Sequence, residues 1–165
     1  MYQRILVPTD GSPVSESAVD AAIDFAQARG STIVALGVAV PEPTFQSLEG
    51  AMAYDPGLQV EVLLEHAQTH VDAIAKRAQQ AGVSCTPVTC SALDPAEAIV
   101  DTARQQHCDL IVMGSHGRRG LSRLLAGSVT QAVLANAPVP VMVLRPVAHE
   151  DGSQARQHTR PAGAT

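Results

Sequence analysis

The sequence predicts an α/β protein in which a parallel five-stranded sheet is covered by helices on both faces. Short apolar runs alternate with amphipathic segments in the order β-α-β-α-β-α-β-α-β. The apolar runs are nearly continuous, so each strand needs cover on both of its faces, as strands in parallel sheets do. Aromatic residues make up 2% of the chain and hydrophobic residues 45%, which indicates a core of Val, Ile, Leu and Ala.

The first strand is predicted over residues 4–8, where an apolar run ends in turn residues. Ser12 and Pro13 have the N-cap and first-position preferences of a helix, and Gly30 is placed to end that helix. A second buried strand follows over residues 31–40. The segment 41–57 then predicts a long loop, a length that is usually functional or mobile.

An apolar stripe at helical spacing predicts a long helix over residues 58–80, which Gly82 would end. The next strand, 83–90, contains Pro87 and is therefore expected at a sheet edge. Asp94 and Pro95 begin a capped helix. The remaining elements are a strand at 108–113, a helix at 128–136 and a strand at 139–145.

The periodic spacing of apolar residues predicts one domain over residues 1–147. The C-terminal tail, residues 148–165, lacks this periodicity and is expected to be disordered. The net charge of −5, from 11 basic and 16 acidic side chains, argues against general binding to nucleic acid or to an anionic membrane. No apolar stretch approaches the ~18 residues of a membrane span. Three cysteines without a CxxC pair, and an N-terminus without signal-peptide layout, indicate a reduced, cytoplasmic protein.

Two loops with unusual residues follow predicted strands. One runs over residues 8–12 after the first strand, and the other is the glycine-containing stretch after the fourth. Ligands of parallel α/β sheets bind beyond the carboxyl ends of the strands, where the winding direction reverses. If the strand order is 3-2-1-4-5, the two loops open into one crevice.

The second loop has the residues of a phosphate site. Gly114 is followed after two residues by Gly117 and after nine more by Gly127 and Ser128, at the predicted start of a helix. Glycines allow close approach of backbone N–H groups, and a helix N-terminus favours anions. The same loop also carries three arginines, Arg118, Arg119 and Arg123.

The alternative to a phosphate site is purely structural. In that interpretation Gly114 and Gly117 make a tight turn between strand and helix, and Ser128 with Gln131 forms a capping box. The arginines would then be a solvated basic patch.

The stretch GSHGRRGLSRLLAGSVT resembles the nucleotide-binding signature of the universal stress protein family, whose ATP-binding members carry Gly-x2-Gly-x9-Gly-Ser/Thr. The resemblance extends through RILVPTDGS, DLIVMGSHG and VPVMVLR and covers about the first 145 residues. It implies a five-stranded parallel sheet in the order 3-2-1-4-5, a Rossmann-like fold related to the adenine-nucleotide α-hydrolases, and ATP as ligand, with or without Mg²⁺.

The resemblance also implies which residues contact the nucleotide. On the adenine and ribose side they are Pro8, Thr9, Asp10, Val38 and the backbone of Met113, with Asp10 accepting from ribose hydroxyls. On the phosphate side they are Gly114, Gly117, Gly127, Ser128, Val129 and Thr130, with Ser115, His116 and Arg118 as further contacts.

Enzyme motifs are incomplete. No lysine follows the last glycine as in a P-loop, and no GxGxxG follows the first strand. Ser115 and His116 are adjacent, so their side chains diverge, and no GxSxG elbow supports a hydrolase triad. His66 and His70, four residues apart on a helix, could share a metal, but no third ligand is evident.

The sequence therefore predicts an ATP-binding universal stress protein that acts as a regulatory or sensing module, with slow or no hydrolysis. A weak ATPase or adenylate-transferring enzyme is one alternative, and a nucleotide-free dimeric stress protein is another. The last strand is apolar and lacks edge-protecting lysines, so a homodimer is expected to form through residues 139–144.

Overall fold

Nine elements alternate along the residues that the computed structural model describes, namely 2–41, 56–115 and 126–145. In chain order they are β1 (Arg4–Thr9), α1 (Pro13–Arg29), β2 (Thr32–Ala39), α2 (Pro56–Gln80), β3 (Cys85–Ser91), α3 (Pro95–Gln105), β4 (Leu110–Gly114), α4 (Ser128–Asn136) and β5 (Val141–Leu144). The predicted alternation of strands and helices is confirmed.

The five strands form one parallel sheet in the order β3-β2-β1-β4-β5. Ile5 of β1 lies between Ile33 of β2 and Leu110 of β4 in the register of the sheet. The strand order reverses direction between β1 and β4, as the resemblance implies. Pro87 lies in the edge strand β3, where its missing N–H is tolerated.

Each face of the sheet is covered by two helices. Ile5 and Val7 of β1 pack in the core beneath α1 and α2, and Leu6 packs in the core beneath α3 and α4. This alternation follows from the period of two along a strand. All three side chains are fully buried, and the predicted helices on both faces are confirmed.

The start of α2 differs from the sequence prediction. The helix begins at Pro56, two residues before the predicted start, so Gly57 belongs to the helix and not to the preceding loop. Proline fits the first turn of a helix because the N–H that it lacks has no partner there in any case. The apolar stripe in the sequence did not reveal the first turn of α2, because the stripe begins further along the helix.

A polar contact joins α1 and α2 on their shared face. The guanidinium of Arg77 on α2 pairs with the carboxylates of Glu16 and Asp20 on α1. Burial acts to lower the pKa of Arg77, but the hydrogen bond that Arg77 donates to Glu16 and the charges of both carboxylates raise that pKa above its ordinary value. The ion pairs therefore hold α2 in a defined position along α1.

Several predicted features lie outside the described residues. They are most of the loop at 41–57, the site residues His116, Gly117 and Arg118 with the other two loop arginines, and the tail at 148–165. Among the helices of the described ranges, none combines the length and apolar character needed to cross a membrane.

Candidate functional site

The carboxyl ends of β1 and β4 lie side by side because these strands pair in the middle of the sheet. Asp10 follows the end of β1, and Ser115 follows the end of β4. Val38 lies at the end of the neighbouring strand β2, one residue beyond the partner of Thr9. The structure thus brings together the described parts of both predicted loops at the reversal of the strand order.

The loop between β1 and α1 is held by its own side chains. The Ser12 amide donates to Oδ1 of Asp10 at 3.0 Å, and the Gly11 amide donates to Oγ1 of Thr9 at 3.1 Å. Oγ1 of Thr9 also lies 3.2 Å from Oγ of Ser15, inside the first turn of α1. Asp10 is therefore part of a turn with a defined geometry, which fixes where its carboxylate lies.

The same loop caps α1. The Ser12 hydroxyl accepts from the Ser15 amide at 3.3 Å, and Ser12 has the extended backbone of an N-cap. The predicted cap is confirmed. Gly11 has a φ of +72°, a left-handed conformation that side-chain-bearing residues rarely adopt.

The start of α4 is attached to the end of β4 by backbone groups and one hydroxyl. The Gly127 amide donates to the Ser115 carbonyl at 2.8 Å. The hydroxyl of Thr130, which is 2% exposed, lies 3.2 Å from the carbonyl oxygens of both Gly114 and Ser115. The Ser115 amide in turn donates to Leu144 of β5 at 2.7 Å. These bonds set the distance between α4 and the sheet edge.

The N-terminus of α4 has no side-chain cap within the described residues. Its N-cap is Gly127, with φ −59° and ψ 159°, and Ser128 is the first helical residue. Gln131 reaches back to the carbonyl of Ala126 and makes no reciprocal bond with Ser128. The capping box of the structural alternative is therefore absent, because Ser128 lies one position too far into the helix to cap it.

An uncapped helix N-terminus favours an anion. The first N–H groups of a helix lack intrahelical acceptors, and the helix dipole places partial positive charge at this end. Backbone N–H groups with this arrangement bind phosphate and carboxylate groups in many proteins. The geometry at Gly127 and Ser128 is therefore suited to a phosphate, as the sequence predicts.

Gly114 has a packing role that is independent of any ligand. A β-carbon at this position would lie 2.9 Å from Cγ1 of Val14 and 3.0 Å from the Val14 carbonyl oxygen, both on α1. These contacts are too short for a real side chain, so only glycine allows α1 to approach β4 this closely. Gly114 is the last residue of β4, so this packing role differs from the tight turn of the structural alternative.

One residue near the site was not predicted to lie there. His70 of α2 lies directly against Gly11 in the β1–α1 loop, although 59 positions separate them. The sequence showed His70 only as a member of a histidine pair. Within the described part of the chain, no three metal-ligating side chains lie close enough to hold an ion. No local pattern indicates the contact, because it depends on how α2 crosses the sheet.

The surroundings of the three cysteines favour the protonated thiol over the thiolate. Burial raises the pKa of Cys108 to about 11, and burial also raises the pKa values of Cys85 and Cys90. Reactive cysteines instead have a lowered pKa. The thiols therefore act as small core residues, as expected for cysteines in or beside strands.

A parallel α/β sheet with a crevice at the reversal of its strand order defines a class of ligand-binding proteins. Within that class, the chain belongs to the universal stress protein family, whose model matches residues 1–145.

Relatives and solved structures agree with this assignment. The chain is 36% identical over 145 residues to Universal stress protein MJ0531 of Methanocaldococcus jannaschii, covering 88% of this chain and 83% of the relative. The solved structure of protein MJ0577 superimposes with a TM-score of 0.75 at 30% identity, covering 88% of this chain and 97% of that one. A universal stress protein in complex with cAMP superimposes with a TM-score of 0.59 at 26% identity, covering 87% and 97%.

Proposed function

We propose that the protein binds ATP in the crevice between the ends of β1 and β4 and acts as a regulatory or sensing module in the stress response, with slow or no hydrolysis. The observation that carries this proposal is the N-terminus of α4, which no side chain of the described residues caps, at the same end of the paired strands β1 and β4 as the Asp10 loop. A related structure that contains cAMP supports an adenine nucleotide as the ligand class.

In this proposal the amides of Gly127, Ser128 and Val129 bind phosphate oxygens, and Asp10 accepts from the ribose hydroxyls. Val38 is half-buried at the end of β2 and would contact the adenine. Ser115 and Thr130 are almost completely buried, and the Thr130 hydroxyl is engaged with backbone carbonyls. Their proposed contribution is therefore made through the backbone. The roles of His116, Gly117 and Arg118 are proposed from the family signature alone.

Slow hydrolysis follows from the residues at the start of α4. A P-loop has a lysine followed by Ser or Thr after its last glycine, whereas here Gly127 is followed by Ser128 and Val129. Without that lysine, the phosphates lack the cation that stabilises the transition state of phosphoryl transfer in P-loop proteins.

Release of bound nucleotide from the purified protein tests this function. The protein is denatured, and the supernatant is chromatographed for adenine nucleotides. Calorimetry then compares ATP, ADP, AMP, cAMP and GTP, with and without Mg²⁺. ATP is expected to bind more tightly than AMP, because the α4 amides contact the added phosphates. Absence of released nucleotide, of heat and of a thermal shift would favour the nucleotide-free alternative, and turnover near ~1 per second would favour the enzyme.

We further propose a homodimer through β5, within the predicted segment 139–144. This strand is an edge of the sheet and pairs only with β4 among the described strands. The carbonyls of Pro140 and Leu144 accept from amides of the β4 side, at 3.0 and 2.7 Å. Because backbone groups of alternate residues point to opposite sides of a strand, the N–H groups of Val141 and Val143 face outward. An outward row of such groups is a template for a second strand.

A proline at position 143 tests the dimer. Val143→Pro removes an outward N–H without removing a bond to β4, whereas Val143→Ala also loses the two valine methyl groups but keeps the N–H. Light scattering is expected to show a dimer for the wild type and Val143→Ala, and a monomer for Val143→Pro. A wild-type monomer, or a Val143→Pro dimer, would contradict the proposal.

A cytoplasmic location is proposed as well, and so is the division into a domain at 1–147 and a tail at 148–165. Cys85, Cys90 and Cys108 are free thiols, which fits a reducing compartment.

A further inference from the structure

The imidazole of His70 lies against the backbone of Gly11. A β-carbon at Gly11 would collide with Cε1 of His70 and would lie 2.6 Å from Nε2 and 2.8 Å from Nδ1 of the same ring. The outer end of the ring thus occupies the space that any side chain at position 11 would need. The φ of +72° favours glycine at this position, and a larger residue would in addition have to displace the His70 ring.

The position of His70 is set by the packing of α2. Ala67, one turn earlier, lies so close to β2 that a β-carbon on Gly37 would be 3.0 Å from its own β-carbon. Val71 is fully buried in the core beneath α1 and α2. Arg77, further along α2, is paired with α1. The helix that carries the ring is therefore packed against the sheet before and after His70 and is paired with α1.

Gly11 is the central residue of the turn that orients Asp10. The bond from the Ser12 amide to Oδ1 of Asp10 spans Gly11, so the backbone at Gly11 and the Asp10 carboxylate move together. The His70 ring fills the space beside Gly11 into which this turn could otherwise move. Pre-organisation of a binding group in this way lowers the cost of ordering it when the ligand arrives.

We infer that His70 is a positioning residue for the nucleotide site: through Gly11 it holds the turn that presents Asp10 to the ribose. This inference rests on the proposed function, in which Asp10 accepts from the ribose hydroxyls. It assigns α2 a part in the site although His70 itself makes no contact with the nucleotide in this proposal.

The first test measures whether His70 affects ribose recognition. Calorimetry compares ATP with 2′,3′-dideoxy-ATP for the wild type, His70→Ala and His66→Ala. His66 lies one turn earlier on α2 and is exposed, so it is the matched control. His70→Ala is expected to weaken ATP binding roughly fivefold while changing dideoxy-ATP binding little, because a misplaced hydrogen-bonding group loses only its own contact. His66→Ala is expected to leave both affinities unchanged.

A general structural role of His70 gives a different result. Equal weakening of both nucleotides, or a lowered melting temperature with an unchanged ratio of affinities, would overturn the inference. If the wild type binds ATP but His70→Ala behaves like His66→Ala, the inference fails while the proposed function stands. If the wild type binds no adenine nucleotide, both fail.

The second test examines the contact without nucleotide. Gly11→Ala is measured by denaturant unfolding in the wild-type and His70→Ala backgrounds. The added methyl group collides with the ring only when His70 is present, so the loss of stability from Gly11→Ala is expected to be smaller in the His70→Ala background. Some loss remains there, because the positive φ is still unfavourable for alanine. Equal losses in the two backgrounds would show that the ring does not press on Gly11 and would overturn the inference.

Discussion

The N-termini of α1 and α4 lie at the same edge of the sheet but are completed in different ways. α1 is capped by the Ser12 hydroxyl, and its loop is closed by the Asp10 and Thr9 side chains. Among the described residues, α4 starts at Gly127 without a side-chain cap, and it is held to β4 by backbone bonds and the Thr130 hydroxyl. The start of α1 is thus capped by side chains of its own loop, whereas no side chain of the described residues caps the start of α4.

α3 shows that the difference is not general to this fold. Its N-cap, Asp94, accepts from the amides of Ala96 and Glu97. A cap of this kind contributes about 1 kcal/mol of stability. Among the described residues, α4 lacks the side-chain cap that α1 and α3 have, and such departures are typical of functional sites.

The largest expected effect, a loss of ATP affinity, comes from adding a side-chain cap to the N-terminus of α4. Gly127→Asp places a capping carboxylate at the N-cap, whose φ and ψ already suit it. The carboxylate would occupy the amides and repel phosphate, so ATP affinity is expected to fall by about 100-fold or more while the melting temperature rises. Calorimetry and thermal unfolding measure the two effects.

Gly127→Asn is the control for charge, because asparagine can cap the helix without repulsion. Its effect on ATP binding is expected to lie between wild type and Gly127→Asp. Unchanged ATP affinity in Gly127→Asp would show that the phosphates do not bind at this terminus.

The next largest effect concerns the packing of α1 against β4. Gly114→Ala forces a methyl group against Val14 on α1, and we expect a loss of about 1–3 kcal/mol in the free energy of unfolding. Val14→Ala in the same chain should recover part of this loss, since Cγ1 is removed but the carbonyl oxygen stays. Denaturant unfolding measures both, and an unaffected Gly114→Ala would contradict the packing role.

Removing one hydroxyl near each of these two helix N-termini compares the hydrogen bond within the β1–α1 loop with the bonds between α4 and the end of β4. Thr130→Val deletes the donor to the β4 carbonyls, and Thr9→Val deletes the acceptor of the Gly11 amide. Each is expected to cost about 1 kcal/mol of stability, the usual net value of a buried hydrogen bond. Chemical denaturation checks the pair, and a neutral result at either position would mean that its bond is dispensable.

The smallest effect is expected at Ser128. Ser12→Ala and Asp94→Ala should each cost about 1 kcal/mol, whereas Ser128→Ala should change stability by only a few tenths, because Ser128 caps nothing. Melting temperatures of the three variants measure the difference. A loss at Ser128 equal to that at Ser12 would restore the capping-box interpretation.

Local signals predicted most elements because each depends on neighbours in the sequence. The caps at Ser12 and Asp94, the stop at Gly30 and the edge position of Pro87 all follow from the properties of single residues and their near neighbours. The start of α2 was placed two residues late, since its first turn lacks the apolar spacing of the rest. At Ser128 the same local reasoning left two interpretations open, and only the structure excluded the capping box.

The sequence by itself determined the alternation of strands and helices, the aliphatic core and the glycine spacing that indicates a phosphate site. Only the tertiary structure showed that α1 packs too closely against Gly114 for a side chain at that position. It also showed that the His70 ring lies against Gly11. The physical reason is the range of the interactions. Hydrogen-bonded turns and apolar periodicity act over a few residues, whereas these contacts join elements whose separation is set by the packing of the whole sheet and its helices.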